Sequence, residues 1–127
     1  MTPQQKIKYL ILVHYMDLSG KTLDLKMDGS YIDELYLSLE DEDDLQDAKS
    51  EVRQGEYETD ISPDWSRNYE SNSVAAKLPD GSWVGWTYWY GGGKHGEPEA
   101  MSWMEDAYEL SCVEQEKLVI VRNFTKI

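Results

Sequence analysis

Residues 74–90 read VAAKLPDGSWVGWTYWY, a stretch with the form of a β-hairpin. Two runs without acidic residues, Val74–Leu78 and Trp83–Tyr90, are joined by Pro-Asp-Gly-Ser, and the second run is rich in Trp and Tyr. Aromatic and β-branched residues favour strands, and Gly81 supplies the positive φ that such a turn needs. The stretch therefore predicts two antiparallel strands at the centre of the second half of the chain.

A second hairpin is predicted further along the chain. Its strands cover Tyr108–Val113 and Lys117–Phe124, and its turn is Glu114-Gln115-Glu116. Between the two hairpins we expect a loop at 91–99 and a helical turn at Ala100–Met104. Together the hairpins predict a mostly antiparallel, four-stranded sheet.

The first half of the chain is predicted to be helical. Thr2-Pro3 is a typical helix start and Ser19-Gly20 a typical stop, so a helix is expected over residues 3–18, with a strand over 9–13 as the alternative. Ser30 is a candidate N-cap for a second helix over 31–39, with Asp33 in the capping-box position. A third helix is expected over 40–54, with its apolar stripe at Leu45, Ala48 and Val52.

The fold class expected from these elements is α+β, with N-terminal helices packed on the C-terminal sheet. At 127 residues the chain has the usual length of one domain. Residues 1–60 are predicted to be mainly helical and acidic, and residues 61–127 mainly β and rich in aromatic side chains.

Acidic residues are concentrated between positions 33 and 60. This stretch holds twelve Asp and Glu residues against Lys49 and Arg53, within a chain of net charge −13 and pI near 4.4. Such a charge argues against direct binding to nucleic acid or anionic membranes and favours a cationic partner. The densest part is a row of seven acids, called the acidic row below: Glu40, Asp41, Glu42, Asp43, Asp44, Asp47 and Glu51.

The acidic row has three interpretations. On one continuous helix, Glu40, Asp44, Asp47 and Glu51 line one face, with about one charge per 2.5 Å over the row, comparable to about one per 1.7 Å in duplex DNA. The row is then either a partner-binding surface or a solvated face that keeps the protein soluble. Calcium binding is the third interpretation, but the EF-hand order fails because Gln46 stands where the loop requires glycine.

Strand alternation divides the aromatic residues of 83–90 between two faces. Val84, Trp86, Tyr88 and Tyr90 are assigned to the core face. Trp83 and Trp89 lie on the other face, either under the N-terminal helices or partly exposed as anchors for a partner. Between them, Gly85 is expected to leave a shallow gap that a partner or ligand fills.

The loop Gly91–Glu99 is an alternative site for a small ligand or for catalysis. Its candidate residues are Lys94, His95 and Glu97, which carry the chemistry of an acid, a base or a ligand. Gly93-Lys94 resembles the end of a phosphate-binding loop, but His95 follows where Ser or Thr is required. No cofactor and no metal site is expected.

The single cysteine, Cys112, excludes an internal disulfide and is predicted to be an inert thiol buried in a strand. The apolar run near the start of the chain is too short for a membrane span and lacks a cleavage signal. A cytoplasmic location is therefore expected.

The segments Leu39-Glu40-Asp41-Glu42-Asp43-Asp44 and Gly85–Gly91, with the size and pI of the chain, give it a resemblance to small acidic proteins of phages and mobile elements. Some of these proteins block host defence by imitating DNA, as anti-CRISPR proteins do. They share no common fold, so the resemblance assigns no role to any residue. It implies a non-enzymatic inhibitor that occupies a basic, nucleic-acid-binding surface of a host protein complex. A small-molecule-binding or enzymatic domain and a structural or assembly component are the alternatives.

Overall fold

A computed structural model, which describes all residues from 1 to 127, has three helices followed by a four-stranded antiparallel sheet. The helices are α1 (Pro3–Ser19), α2 (Gly29–Leu39) and α3 (Asp43–Arg53). The strands are β1 (Tyr57–Glu58), β2 (Glu70–Lys77), β3 (Trp83–Tyr90) and β4 (Tyr108–Leu110), which lie side by side in that order. The predicted α+β fold class is confirmed.

Helix α1 is the central helix of the helical layer. It contacts α2, α3 and the sheet, which explains why its sequence is apolar around much of its circumference. Its start is a capping box in which Thr2 and Gln5 each accept from the other's backbone amide. The alternative of a strand over residues 9–13 is wrong, since these residues lie within α1.

Helix α2 begins earlier than the sequence indicates. Its N-cap is Asp28, whose side chain accepts from the amide of Tyr31 at 2.9 Å, so Ser30 is not the cap. Asp33 does not form the expected capping box. Its carboxylate accepts from Gln5 at 2.9 Å and from Lys8 at 3.0 Å, and thereby fastens α2 to α1.

The third helix was expected over 40–54 but begins at Asp43. Glu42 has an extended backbone at the N-cap, so Glu40, Asp41 and Glu42 form the connection from α2 rather than helix. The apolar stripe of Leu45, Ala48 and Val52 is buried as expected. Consequently the acidic row starts in a turn and continues on α3.

The hairpin at 74–90 is confirmed. Its strands pair from Glu70 with Tyr90 to Lys77 with Trp83, so β2 begins four residues before the predicted Val74. The turn is closed by the amide of Leu78 donating to Ser82 at 2.9 Å, and Gly81 has φ +87°. This pairing puts Trp86, which is completely buried, under the helical layer.

The second predicted hairpin is wrong. Strand β4 covers only Tyr108–Leu110 and pairs with β3 from Gly85 back to Trp83, where β3 begins. Beyond Leu110 there is consequently no strand left to pair with, and residues 111–127 have no regular structure. The fourth strand of the sheet is instead β1. The helical turn expected at Ala100–Met104 is a short 3₁₀ turn at Pro98–Ala100.

Cys112 lies in this irregular C-terminal part and is exposed, so the prediction of a buried thiol is also wrong. The expectation depended on a strand over 108–113 with an inward face. Since the strand ends at Leu110, Cys112 lies outside it and has no inward strand face on which to be buried.

Candidate functional site

Five of the seven carboxylates of the acidic row have no partner within the protein. They are exposed to solvent and form neither an ion pair nor a side-chain hydrogen bond: Glu40, Asp41, Asp43, Asp44 and Asp47. Asp44 and Asp47 lie three positions apart on α3 and share one face. The row therefore presents uncompensated negative charge to solvent.

The two remaining acids of the row contact other parts of the helical layer. Glu42 lies 3.0 Å from the ammonium group of Lys21 and accepts from the hydroxyl of Tyr15. Glu51 lies 3.2 Å from Nδ1 of His14 on α1. These contacts fix the two ends of α3 against α1, so the row is carried by a positioned helix.

The contacts of Glu42 shift its titration. The hydrogen bond from Tyr15, followed by that from Lys21, lowers the pKa of Glu42 below its ordinary value. The same contact with Glu42 raises the pKa of Lys21. Both effects favour the charged forms, so Glu42 keeps its negative charge to lower pH than an isolated glutamate.

The only arginine of the acidic stretch, Arg53, contacts the sheet and forms no ion pair with the row. Arg53 Nη1 donates to the carbonyl oxygen of Trp89 at 2.7 Å, and its guanidinium carbon lies 4.9 Å from the centre of the Tyr88 ring. The Arg53 carbonyl in turn accepts from the indole nitrogen of Trp86 at 2.9 Å. Arg53 is therefore hydrogen-bonded to the sheet rather than paired with a carboxylate of the acidic row.

Trp83 and Trp89 have different environments. Trp89 is only 5% exposed and belongs to the core, so it is not available as an anchor for a partner. Trp83 is half-buried on the outer face of the sheet, with its ring centre 5.6 Å from that of Tyr57. Since the acidic row lies on the helical layer, Trp83 and the row belong to opposite sides of the molecule.

The gap expected at Gly85 is filled by the protein itself. A Cβ atom at this position would lie 2.7 Å from the Tyr108 ring and 2.9 Å from a methyl group of Leu110. Glycine is therefore required because β4 side chains cross the outer face at this point. No space remains there for a ligand.

Trp65 is an exposed aromatic residue that the sequence reasoning missed. Its side chain is 83% exposed in the connection between β1 and β2. Next to it, the amide of Asp64 donates to the hydroxyl of Thr87 at 3.3 Å, which attaches this connection to β3. Trp65 follows Pro63-Asp64 and lies outside any alternating run, and this position was the signal in the sequence that it is exposed.

The candidate residues of the glycine loop do not converge on a site. Lys94, His95 and Glu97 are exposed, and their side chains form no hydrogen bond or ion pair. The loop is shaped by glycines 91–93, all at positive φ, and by the hydroxyl of Tyr69, which accepts from the Glu97 amide at 3.1 Å. No group of three or more His, Cys, Asp or Glu side chains in the protein is placed to hold a metal ion.

Comparison with protein-family models, curated proteins and solved structures finds no match for this chain. None of the three helices has the length and apolar character needed to cross a bilayer.

Proposed function

We propose that this protein is a non-enzymatic binding protein whose acidic row occupies a basic, nucleic-acid-binding surface of another protein. The observation that carries the proposal is the set of five exposed carboxylates without internal partners. A helix face that serves only solubility usually mixes charges of both signs, because pairs of opposite charge at i,i+4 support the helix. Here the stretch has only two bases: Arg53 is used inside the fold, and Lys49 forms no ion pair with the row.

The geometry is suited to charge mimicry. Asp43, Asp44 and Asp47 lie on a helix with a rise of about 1.5 Å per residue, which spaces their charges on the scale of phosphates along nucleic acid. Asp43 and Asp44 also lie in the first turn, where the helix dipole stabilises anions. A basic groove evolved to bind phosphates would attract this helix.

Complementary charge has a kinetic consequence. It speeds association and makes the association rate fall as salt concentration rises. We propose a cytoplasmic inhibitor of the kind found in phages and mobile elements, acting on a nucleic-acid-handling complex of the host. No observation favours a second, enzymatic function at the exposed residues Lys94, His95 and Glu97.

The test is affinity purification from nuclease-treated bacterial lysate at low and moderate salt. The wild-type protein is compared with the triple variant Asp43→Asn, Asp44→Asn, Asp47→Asn. A matched control neutralises three other exposed, unpaired acids: Glu70→Gln, Glu97→Gln and Asp106→Asn. Both variants lose three negative charges, so only the position of the charge differs.

The proposal requires that the wild-type protein and the control recover the same basic nucleic-acid-binding complex, and that the α3 variant does not. Recovery should fall as salt rises. If the α3 variant and the control bind equally well, the acidic row is not the binding surface. If no complex is recovered by any of the three, the row is a solubility device.

A further inference from the structure

The C-terminal segment 117–124 is an exposed apolar run without a partner in its own fold. It reads Lys-Leu-Val-Ile-Val-Arg-Asn-Phe, and the four central aliphatic side chains are 74–105% exposed. Contiguous apolar surface of this kind is uncommon on a soluble monomer and marks an interaction site. Val and Ile also favour extended structure, so the segment has the composition of a strand that lacks a sheet.

An open groove of about 620 Å³ lies on the outer face of the sheet, opposite the helices. Its apolar lining includes Tyr57, Trp83 and Leu110. One side is formed by β1, which is an edge strand of the sheet and so has main-chain groups free to pair with an added strand. The groove therefore offers apolar contacts and backbone pairing to an extended peptide.

The charges of the segment and the groove are complementary. Lys117 and Arg122 flank the aliphatic run, whereas Glu58 and Asp60 lie along the β1 side of the groove. Residues 115–127 contain three bases and one acid, leaving nine bases and twenty-four acids in the rest of the chain. A basic segment on an acidic body is attracted to another such body.

We propose that segment 117–124 docks in the groove of a second copy of this chain, and that two copies exchange their segments in a symmetric dimer. Residues Ser111–Glu114 line the groove of their own copy, so only Gln115 and Glu116 separate that wall from the apolar run. Return into the same groove needs a reversal within these two residues. A second copy receives the segment without this reversal, and two-fold symmetry satisfies both grooves at once.

The test exchanges charges between the segment and the groove. The segment variant carries Lys117→Glu and Arg122→Glu, and the groove variant carries Glu58→Lys and Asp60→Lys. All four side chains are exposed, so folding is preserved, and circular dichroism and thermal melting verify it. A control, Glu70→Lys with Lys94→Glu, alters charge elsewhere on the surface.

Molar mass is measured by light scattering after size exclusion, from about 1 to 100 μM, where specific interfaces of moderate affinity populate dimers. Reductant is present because Cys112 is exposed. The wild-type protein and the control should be dimeric, while each variant alone should dissociate about tenfold more readily or more. An equimolar mixture of the two variants should recover the dimer, because each segment then meets a groove of opposite charge.

A wild-type protein that stays monomeric throughout this range would overturn the proposal. So would a dimer that both variants preserve, because the interface would then lie elsewhere. A monomer in which segment 117–124 resists proteolysis would place the segment in its own groove and equally exclude exchange. Species larger than dimers that grow with concentration would indicate unspecific association of the apolar run.

Discussion

The ammonium group of Lys21 lies 3.0 Å from the Glu42 carboxylate, which joins the second residue after the end of α1 to the residue before the start of α3. Tyr15, a buried residue of α1, donates to the same carboxylate. Glu42 is the N-cap residue of α3, but its side chain makes no capping hydrogen bond. Its side chain is instead used to hold the start of the acidic helix against α1.

This contact predicts a specific pH dependence for Glu42→Gln. The pKa of Glu42 is lowered in the folded protein, so its contribution to stability is present above the ordinary value of 4.5 and is lost as pH falls through the lower, folded value. Urea unfolding should show the variant less stable than wild type at pH 7, with the difference vanishing in acid. Glu40→Gln, an exposed neighbour without an ion pair, is the control and should show no such convergence. Equal stability of Glu42→Gln and wild type at every pH would contradict the argument.

Substitutions of Trp86 and Trp65 compare the contributions of a buried and an exposed tryptophan to stability. Trp86 is completely buried, donates to the Arg53 carbonyl and lies 5.6 Å from the Trp103 ring, whereas Trp65 is 83% exposed. We expect Trp86→Ala to cost about 3–5 kcal/mol of unfolding free energy, and Trp65→Ala to change it by about 0.5 kcal/mol or less. Chemical denaturation followed by circular dichroism measures both. Similar losses in the two variants would mean that Trp65 is packed in solution.

The elements that were predicted correctly are those with strong local signals. The hairpin at 74–90 has its own turn residues and alternation, and α1 has a capping box at its start. The elements that were predicted wrongly or missed depend on contacts with distant parts of the chain. The strand over 117–124 has good composition but no neighbouring strand, and β1 is only two residues long, too short to show alternation.

The candidate site was predictable in composition but not in arrangement. The acidic row is visible in the sequence, but the restart of the helix at Asp43 and the contact of Glu42 with Tyr15 of α1 are not. Trp89 lies in the core although strand alternation assigns it to the outer face. The burial of Trp89 is set by other segments that pack on the strand. Alternation along the strand carries no information about this packing.

Gly55 and Gly20 form a matched pair for testing backbone strain against crowding. Both have positive φ, +76° and +72°, but a Cβ at Gly55 would lie 2.5 Å from Val74 Cβ, while nothing lies within 4 Å of one at Gly20. Gly20→Ala should cost about 1 kcal/mol for the left-handed backbone alone. Gly55→Ala should cost clearly more, because α3 and β2 must separate as well. Equal losses in thermal or urea unfolding would show that the contact between Gly55 and Val74 relaxes freely.

Tyr36 should titrate above the ordinary tyrosine pKa of 10.0. Burial, with smaller effects from Glu40 and Glu105, raises its pKa to about 12. A raised folded pKa means that the contribution to stability is complete below the ordinary value of 10.0 and is lost as pH rises toward 12. Tyrosinate absorbance should show a late-titrating group that disappears in Tyr36→Phe. The exposed Tyr57 supplies the control, since Tyr57→Phe should leave that late group in place.

Asp47 separates the stability of α3 from its proposed function. It has Asp43 four residues before it and Glu51 four residues after it, so it is repelled from both sides along the helix. Asp47→Asn should therefore raise the unfolding free energy by about 0.2–0.5 kcal/mol per relieved pair at low salt, with a smaller gain at high salt.

Asp43→Asn is the comparison for Asp47→Asn. This residue lies in the first turn, where loss of a favourable dipole interaction of about 0.3–1 kcal/mol outweighs the relief of its own repulsion from Asp47. The two substitutions should thus change stability in opposite directions while both weaken partner binding. If Asp47→Asn makes the protein more stable but weakens partner binding, the charge of Asp47 serves recognition and not stability. Destabilisation by Asp47→Asn at low salt would show that the repulsion is absent, and the argument from tolerated repulsion would fail.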